Sequence, residues 1–553
     1  MTAFNLSTVF ATVAAAVPDQ EVVVWREQRT TYAEMERRID GLAHFLVGQG
    51  LGCHTERAEL AGHESGQDHV GIYLRNGHQY LESMVAGYRS RTAGFNVNYR
   101  YVEEELLHLL TDADTKALIY HAEFAPRVAA VRDRLPGLRV LVQVADESGH
   151  PLLPGAVDYE EAVRTAAPGG GMPTPSGDDL FLLYTGGTTG MPKGVLWRQA
   201  DIYVNSMGGT PFGASEPFAS YDAIADAARA ANGGMGLLMI PPLMHGAAQW
   251  STFFAITSGG RIVFPDDVHT FDPANALMLA ARERVASIPT VGDAIARPLV
   301  EEMERTSYDL SGLFALGNGG AALTPTVRER LFAVVPHVLV LDSAGASETG
   351  LQASQAVAKG GSGEAMVFTP QNPDTTVVDD LLTRVLQPGE SGGWLARKGQ
   401  IPLGYLGDPV KTARTFPVID GVRWAVPGDR ADLLEDGRIQ LLGRESVTIN
   451  SGGEKIFAEE VERAMSAHPD VRDVVVAGRP SERWGSEVVA IVQLEAGSSA
   501  TDDDLLAECA RHVARYKLPK ALLRVASVQR SPTGKADYRW AKEQAAQSLL
   551  PRT

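Results

Sequence analysis

Glycine and hydroxyl residues between positions 184 and 193 are suited to binding a large anion. The stretch reads YTGGTTGMPK. Its glycines lack side chains, so backbone N–H groups can approach phosphate oxygens, and its threonines add hydroxyl donors. The common P-loop pattern is absent, because Met191 and Pro192 separate the last glycine from Lys193. Taken alone, the stretch fits both a phosphate cradle and an ordinary turn.

Further side chains with chemical potential follow other strand-like runs. His245 starts a loop after one run, and the turn DSAGASETG at 342–350 follows another. Asp429 and Arg444 flank a predicted hairpin, and Lys535 lies in the turn SPTGK near the end. Each of these side chains by itself would more often be structural. Together they are the parts of a nucleotide site, provided that the fold brings them to one place.

The elements that must position these residues alternate along the chain. An apolar run at 180–184 leads into the glycine stretch and predicts a buried strand. We predict further strands at 70–74, 117–120, 236–240 and 338–341, and helices at 103–112 and 274–285. This alternation is typical of an α/β fold with mostly parallel strands.

The pattern changes after Arg444. It predicts a helix at 458–467, strands at 471–476 and 487–494 with a turn at 479–482 between them, and a helix from Asp502 that Thr501 caps. We therefore predict a large α/β N-terminal domain of several subdomains at 1–445 and a small α+β C-terminal domain at 446–553.

Composition narrows the class of protein. The chain has 553 residues, more than one compact core holds, and a formal net charge of −18 without a basic run, which argues against nucleic-acid partners. Cys53 and Cys509 lie far apart without metal-ligand spacing, so we expect two reduced, buried thiols in a cytoplasmic protein. We identify neither a secretory signal nor an apolar run of about 18 residues, so no stable membrane span is expected.

The ordered set YTGGTTGMPKG, SETG, PGD, LLGRES, INSGGEKIF and SPTGK resembles the adenylate-forming superfamily of acyl-CoA ligases, luciferases and peptide-synthetase adenylation domains. The resemblance covers nearly the whole chain. NVNYRY at 96–101, GVLWRQ at 194–199 and the segment 443–462 are similar to an actinobacterial branch that activates long-chain fatty, steroid and diterpenoid-type acids. The resemblance implies an AMP-forming acid–thiol ligase of fatty acid or secondary metabolism. It would use ATP, Mg²⁺ and coenzyme A, with a small-molecule carboxylic acid as substrate.

The resemblance also implies roles for individual residues. Lys535 would contact the acid carboxylate and the α-phosphate, Glu348 would ligate Mg²⁺ with Thr188, and His245 would control access of the carboxylate. The residues implied to bind nucleotide or coenzyme A are Thr185, Gly186, Gly187, Thr188, Thr189, Gly190, Lys193, Gly319, Gly320, Ala321, Asp342, Ala344, Gly345, Ser347, Asp429, Arg444, Ser451, Gly452 and Gly453.

A second step requires a second arrangement, because the thiol of coenzyme A must attack from the side that Lys535 occupies. The resemblance implies that the small domain rotates about Ser446, where the family usually has aspartate or lysine. The implied acyl pocket comprises Gly246, Ala247, Ala248, Trp250 and Ala346. Its mostly small side chains favour a bulky acid, although they could equally serve only to pack helices.

Ala344 departs from the family, which usually has an aromatic residue there to stack on adenine. Loss of stacking could cost about 1 to 3 kcal/mol of nucleotide binding. One alternative is therefore a ligase with weak or absent adenylation that takes acyl-AMP from a companion adenylating enzyme. Others are an enzyme that loads a free-standing carrier protein and a non-catalytic acyl-binding homologue. A homodimer is left open.

Overall fold

The computed structural model describes residues 3–166, 171–185, 192–321, 323–361, 366–444, 447–451, 454–481, 485–531 and 534–547. Within these ranges helices and strands alternate over most of the chain, as an α/β fold requires. The helices in chain order are α1 (Leu6–Ala16), α2 (Tyr32–Gly48), α3 (His78–Arg89), α4 (Glu103–Asp112), α5 (Ala125–Arg132), α6 (Tyr159–Ala162), α7 (Gln199–Ser206), α8 (Tyr221–Ala230), α9 (Gly246–Thr257), α10 (Pro273–Arg282), α11 (Asp293–Arg305), α12 (Pro325–Val334), α13 (Pro409–Thr415), α14 (Ala458–Ser466), α15 (Asp502–Cys509) and α16 (Tyr538–Gln547).

The strands form two large sheets and several small ones. In chain order they are β1 (Glu21–Trp25), β2 (Gln28–Thr31), β3 (His69–Tyr73), β4 (Ala93–Asn96), β5 (Thr115–His121), β6 (Val140–Val144), β7 (Val157–Asp158), β8 (Leu180–Thr185), β9 (Lys193–Arg198), β10 (Gly236–Leu238), β11 (Arg261–Phe264), β12 (Ser287–Thr290), β13 (Ala315–Gly319), β14 (Leu339–Ala346), β15 (Gly350–Val357), β16 (Val367–Pro370), β17 (Thr375–Val378), β18 (Gly393–Arg397), β19 (Gly404–Tyr405), β20 (Val418–Ile419), β21 (Val422–Arg423), β22 (Asp429–Leu433), β23 (Ile439–Arg444), β24 (Ile449–Ser451), β25 (Glu454–Ile456), β26 (Val471–Ser481), β27 (Gly485–Leu494) and β28 (Ala521–Arg524).

The first large sheet carries the ends of the glycine stretch. Its strand order is β19-β9-β8-β4-β3-β5-β6-β7, and the pairs from β8 to β7 are parallel. Every residue of β3 is buried, which explains why its sequence is a continuous apolar run rather than an alternating one. The antiparallel strands β9 and β19 extend one edge, so the chain re-enters the sheet beside the strand that it has just left.

The second large sheet carries the other turns of the predicted site. Strands β1, β11, β10, β12, β13 and β14 are parallel neighbours, and an antiparallel group containing β15, β16, β23, β22, β18 and β17 follows. A single buried cluster includes Ile72 of the first sheet and Ile262 of the second. The two sheets therefore share one hydrophobic core, which fixes the turns of one relative to the loops of the other.

The part after residue 446 forms its own small layer. Strands β26 and β27 are antiparallel, β28 is parallel to β27, and separate buried clusters involve α14 and α16. The predicted turn at 479–482 is wrong over 479–481, where β26 continues and Arg479 pairs with Glu487 at 2.7 Å. Pro480 is tolerated there because β26 lies at the edge of its sheet.

Other sequence-based expectations are met. Helix α4 spans the predicted residues 103–112, and Thr501 caps α15 through a capping box with Asp504. Both cysteines are unpaired, as predicted, but only Cys509 is buried, whereas Cys53 is half-buried. Over the described ranges we find no helix that combines the length and the apolar character needed to cross a bilayer.

Candidate active site

The glycine stretch is bounded by two paired strands. Thr185, the last residue of β8, is the antiparallel partner of Lys193, the first residue of β9. The Lys193 ammonium forms an ion pair with Asp408, with 2.8 Å between Nζ and Oδ2. The predicted cradle residues Gly186, Gly187, Thr188, Thr189 and Gly190 lie outside the described residues.

A buried asparagine fixes the backbone next to this loop. The Asn96 amide group donates to the carbonyl oxygens of Tyr184 and Met244, at 2.8 and 2.7 Å, and accepts from the Tyr184 N–H at 2.8 Å. One side chain thus holds both the strand before the glycine stretch and the segment before His245. Our sequence analysis did not assign this role, although Asn96 begins the NVNYRY motif at the end of β4.

His245 is a half-buried imidazole at the start of α9, and its Nε2 atom is buried. Burial lowers its pKa to about 3, and the positive charges of Lys535 and Arg100 act in the same direction. Its Nε2 atom has no hydrogen-bond partner in the part of the chain that the structure describes. Because buried polar atoms are rarely left unpaired, this nitrogen is suited to a partner that a ligand supplies.

Lys535 lies in a segment that packs against the start of α11 and the loop after β13. The Ser531 N–H donates to the Lys535 carbonyl at 2.7 Å, and the intervening Gly534 has a φ of +77°. A Cβ atom at Gly534 would lie 3.0 Å from the Ala294 Cβ, and one at Gly320 would lie 3.5 Å from the Lys535 Cε. Glycine at position 534 therefore permits the close approach of this segment, whereas the distance at Gly320 is an ordinary van der Waals contact.

The charges around Lys535 identify its neighbours. Lys535 is an exposed residue, but poor solvation of its ammonium lowers the pKa, and the guanidinium of Arg444 lowers it further, while Glu348 and Asp429 oppose the shift. Four residues that are widely separated in the sequence thus act on one another through their charges. The charges of Arg444, Glu348 and Asp429 therefore all reach the Lys535 ammonium.

Asp429 and Arg444 are directly opposite on the hairpin of β22 and β23. The Arg444 Nε donates to Asp429 Oδ1 at 2.9 Å, and the pKa of Arg444 is raised mainly by this carboxylate. The predicted hairpin is confirmed. A carboxylate and a guanidinium fixed side by side offer both an acceptor and a donor to a sugar diol.

Glu348 is held from one side by a tyrosine that our sequence analysis missed. The Tyr405 hydroxyl donates to Glu348 Oε1 at 2.8 Å. Among the described residues no cluster of three or more His, Cys, Asp or Glu side chains is placed to hold a metal ion. One carboxylate of this kind fits Mg²⁺, which is usually held by one or two carboxylates together with substrate phosphates.

The turn before Glu348 supplies a wall of small residues. Ala344 is buried against Ala353 and Phe368, and the Ser347 carbonyl accepts from Trp197 Nε1 at 2.9 Å. Asp342 accepts hydrogen bonds from Asn318 and Arg328, at 2.8 and 2.6 Å, so protein groups already engage its carboxylate. The other predicted residues here are Gly319 at the end of β13, Ala321 after it, and Gly345 in β14.

A large cavity of about 2510 Å³ runs beside these turns. The predicted acyl-pocket residues Gly246, Ala247, Ala248, Trp250 and Ala346 all line it, together with His245 and Lys535. The exposed Phe212 and Phe314 also line it, so its apolar wall continues to the surface. The Trp250 Nε1 has no partner among the described residues.

The remaining predicted residues belong to the small C-terminal layer. Ser451 ends β24, whereas Ser446, Gly452 and Gly453 lie outside the described residues. An ion pair and a hydrogen bond also join this layer to the N-terminal part. The buried Arg297 of α11 pairs with Glu495 at 3.1 Å and donates to the Arg472 carbonyl at 2.9 Å.

Comparisons with known proteins identify the family of the chain. Residues 10–406 match the family described as AMP-binding enzyme, and residues 460–535 match its AMP-binding enzyme C-terminal domain. The chain is 53% identical to Medium-chain acyl-CoA ligase Mig of Mycobacterium avium, with 98% of each chain covered. It is 39% identical to the Medium/long-chain-fatty-acid--CoA/3-oxocholest-4-en-26-oate--CoA ligase of Mycobacterium tuberculosis, covering 98% of this chain and 96% of the relative.

The fold is shared with solved structures. The crystal structure of ATP-bound MatB from Rhodopseudomonas palustris matches with a TM-score of 0.79 at 22% identity, covering 99% of this chain and 100% of the other. At that identity the match bears on the fold alone, and it agrees with a large α/β part followed by a small C-terminal part.

Proposed function

This chain belongs to the AMP-binding enzyme family, and we propose from that premise that it is an acyl-CoA ligase which joins a bulky carboxylic acid to coenzyme A through an acyl-adenylate. The single observation that carries the proposal is that Asp429 and Arg444, paired at 2.9 Å, and Glu348 all act through their charges on the Lys535 ammonium. Nucleotide chemistry needs this combination of charges, and a purely acyl-binding protein does not.

The first step joins two anions, so the site must offset their repulsion. The Lys535 ammonium would lie between the acid carboxylate and the α-phosphate, where negative charge concentrates as the new P–O bond forms and pyrophosphate leaves. Mg²⁺ held by Glu348 would supply further positive charge to the phosphate oxygens. Asp429 would accept hydrogen bonds from the ribose hydroxyls and Arg444 would donate to the same sugar, which orients the nucleotide.

The second step transfers the acyl group to sulfur. The thiol of coenzyme A would attack the acyl-adenylate carbonyl, and AMP would leave. We propose that the C-terminal domain at 446–553 rotates about Ser446 between the steps, so that Lys535 leaves the cleft and the segment Ser451–Gly453 lines the path of the pantetheine arm. Two separate family models match the chain, one ending at residue 406 and the other beginning at residue 460, and this supports a two-part organisation.

The substrate we propose is a medium- to long-chain fatty acid or a steroid acid. The named substrates of the relatives support this class, and so does the cavity lined by Gly246, Ala247 and Ala248, which leaves space beyond the carboxylate position. His245 is neutral and therefore adds no charge that would trap the carboxylate at the entrance.

The proposal is tested with the purified chain, ATP, Mg²⁺ and coenzyme A. Octanoate, palmitate, a cholestenoate-type steroid acid and acetate are compared by mass spectrometry of the CoA thioesters and by AMP release. We expect thioester and AMP in equal amounts from at least one bulky acid and little product from acetate. Formation of AMP without thioester, or of neither product with any acid, would contradict the assignment.

The comparisons do not favour the alternatives, because the relatives that match nearly the full chain are named as CoA ligases. None of the four alternatives is therefore our leading interpretation. These alternatives are weak adenylation caused by Ala344, supply of acyl-AMP by a companion enzyme, loading of a carrier protein, and a non-catalytic homologue. A cytoplasmic location and a homodimer stay predictions.

A further inference from the structure

The segment formed by β19 and the start of α13 touches two parts of the nucleotide site that are far apart in sequence. The Tyr405 hydroxyl donates to Glu348 at 2.8 Å, and the Asp408 carboxylate pairs with Lys193 at 2.8 Å. Neither contact was expected from the sequence. Both place this segment beside the predicted positions of Mg²⁺ and of the outer phosphates.

Lys411 lies in the middle of this group. Its ammonium is 4.1 Å from the centre of the Tyr405 ring, and its backbone N–H donates to Asp408 at 2.9 Å. No carboxylate of the described residues lies within ion-pair distance of its Nζ. The carboxylates of Glu348 and Asp408 and the ammonium of Lys193 all act on the pKa of Lys411, which burial lowers.

We propose that Lys411 is a further phosphate ligand of this enzyme, which binds the β- and γ-phosphates of ATP, and the pyrophosphate that is released, together with Lys193. The inference rests on the proposed function, because it takes the triphosphate to lie between Glu348 and Lys193. The ligand class is a Mg²⁺-bound triphosphate or pyrophosphate.

The balance of charge supports this role. Lys193, the cation that ends the glycine stretch, is neutralised by Asp408 in the structure. A triphosphate that relied on Lys193 alone would have to compete with that carboxylate, which lies close by and is fixed at the start of α13. Lys411 adds a second ammonium at the same place. A flexible lysine with three N–H donors suits phosphate oxygens, whose positions change when pyrophosphate leaves.

A purely structural role for Lys411 makes a different prediction. If the ammonium only packs against the Tyr405 ring, its loss should weaken the local structure and should leave phosphate affinity unchanged. A second lysine offers a matched control, since Lys398 Nζ lies 5.4 Å from the centre of the Trp424 ring and the residue follows β18, outside the segment formed by β19 and the start of α13. Loss of either lysine removes a comparable cation–π contact.

The experiment compares Lys411→Met and Lys398→Met with the unaltered enzyme and with Lys411→Arg. Pyrophosphate binding is measured by calorimetry with Mg²⁺ present, and adenylation is measured by pyrophosphate exchange into ATP. For Lys411→Met we expect the Kd of pyrophosphate and the KM of ATP to rise by about tenfold or more, as for loss of a charge-assisted hydrogen bond. Lys411→Arg should recover most of the affinity, and Lys398→Met should bind as the unaltered enzyme does.

Synthesis of thioester from synthetic acyl-adenylate separates the possible outcomes, because it involves no triphosphate. This rate should stay within about twofold in Lys411→Met, since only a group that acts in both steps would lower it further. Unchanged pyrophosphate affinity, or an equal loss in both half-reactions with a lowered Tm, would overturn the role of Lys411. If the unaltered enzyme forms no adenylate with any acid, the proposed function fails, and calorimetry with pyrophosphate still decides the role of Lys411.

Discussion

At the scale of single residues, the charges around Lys535 suit a side chain that enters and leaves the site. Poor solvation and Arg444 both disfavour its ammonium form, and Glu348 and Asp429 only partly compensate. The added negative charge of ATP and the acid would favour insertion of the lysine, because charges interact strongly in a poorly solvated cleft. Departure of pyrophosphate removes part of that attraction. The same charges can therefore hold the lysine for the first step and release it for the second.

Replacement of Lys535 by alanine should separate the two half-reactions. We expect Lys535→Ala to lower adenylation by roughly a hundredfold to a thousandfold, because a preorganised donor to the reacting phosphate is lost. Thioester formation from synthetic acyl-adenylate should persist, since the lysine is then outside the cleft. Pyrophosphate exchange and thioester synthesis, measured separately, check this.

Lys520 provides the control for that experiment, because it is an exposed lysine of the same domain. Lys520→Ala should leave both rates unchanged. An equal loss of both half-reactions in Lys535→Ala would contradict a lysine that acts in one step only.

At the scale of elements, helix α14 packs a half-buried acid, Glu462, against its own small sheet. The Val476 N–H and the Tyr538 hydroxyl donate to the Glu462 carboxyl group at 2.8 and 3.2 Å. Burial is the main cause that raises the pKa of Glu462 to about 8, and the charge of Glu459 adds to it. The folded C-terminal domain therefore keeps a proton on Glu462 at pH values where the unfolded chain has lost it.

This raised pKa predicts that the domain loses stability as pH rises. The contribution is fully present below the ordinary glutamate pKa of 4.5 and is lost as pH rises through about 8. Glu462→Gln mimics the protonated form, so at pH 9 we expect it to be more stable than the unaltered chain by on the order of 3 kcal/mol. At pH 4 the two should be similar. Calorimetric unfolding at both pH values measures the difference.

Glu460 lies on the same helix and pairs with Lys517, so Glu460→Gln is the matched control. It should not give the gain in stability at pH 9 that we expect for Glu462→Gln. The burial argument would be wrong if Glu462→Gln and the unaltered chain lost stability equally between pH 4 and pH 9.

Element boundaries could be predicted where the signal is local. Helix α4 has its predicted bounds, and Thr501 was identified as a cap because hydroxyls commonly accept from the first helical N–H groups. The end of β26 could not be predicted, because Pro480 is usually a turn signal. It is compatible with a strand here only because β26 has no neighbour on one side.

At the scale of the whole molecule, the small C-terminal domain is docked with Lys535 at the cavity that His245 also lines, which is the pose that we propose for adenylation. The Lys535 turn reaches the cavity because Gly534 fits against Val291 and Ala294. The ion pair between Arg297 and Glu495 also joins the two parts. Any side chain at Gly534 must therefore act on domain closure and not only on its own turn.

Gly534→Val should block this closed pose. Its Cβ would meet the Ala294 Cβ at 3.0 Å and the Val291 carbonyl oxygen at 3.2 Å. We expect adenylation to fall by about a hundredfold, because a displacement of about 1 Å at the reacting centre can cost that much. Synthesis of thioester from acyl-adenylate should change little. The two half-reactions are assayed as above.

Gly497→Val is the matched control for strain. Gly497 belongs to the same domain and has a φ of +82°, but a Cβ there would meet no atom within 4 Å. Both variants should lose similar stability, since each forces valine into a left-handed conformation. Similar loss of adenylation in both would show that backbone strain, and not blocked docking, is the cause.

Of the candidate site, only the residues that lie in recognisable sequence motifs could be predicted. Lys535, Glu348, Asp429 and Arg444 each lie in a recognisable turn, and in the fold the charges of the other three act on Lys535. Tyr405 could not be found in this way, because its contact with Glu348 depends on the long-range register that pairs it with Val195 of β9. Such a register is set by the packing of whole sheets and leaves no local signal.

The cavity lined by Gly246, Ala247 and Ala248 has a consequence for a homologous series of acids. Each methylene moved from water onto an apolar wall contributes about 0.8 kcal/mol, which corresponds to roughly a fourfold increase in kcat/KM per carbon. Such an increment accumulates steadily until the added carbons reach solvent. The enzyme therefore needs no side chain that excludes short acids. They are poor substrates because they lack the binding free energy that the additional methylenes of longer acids contribute.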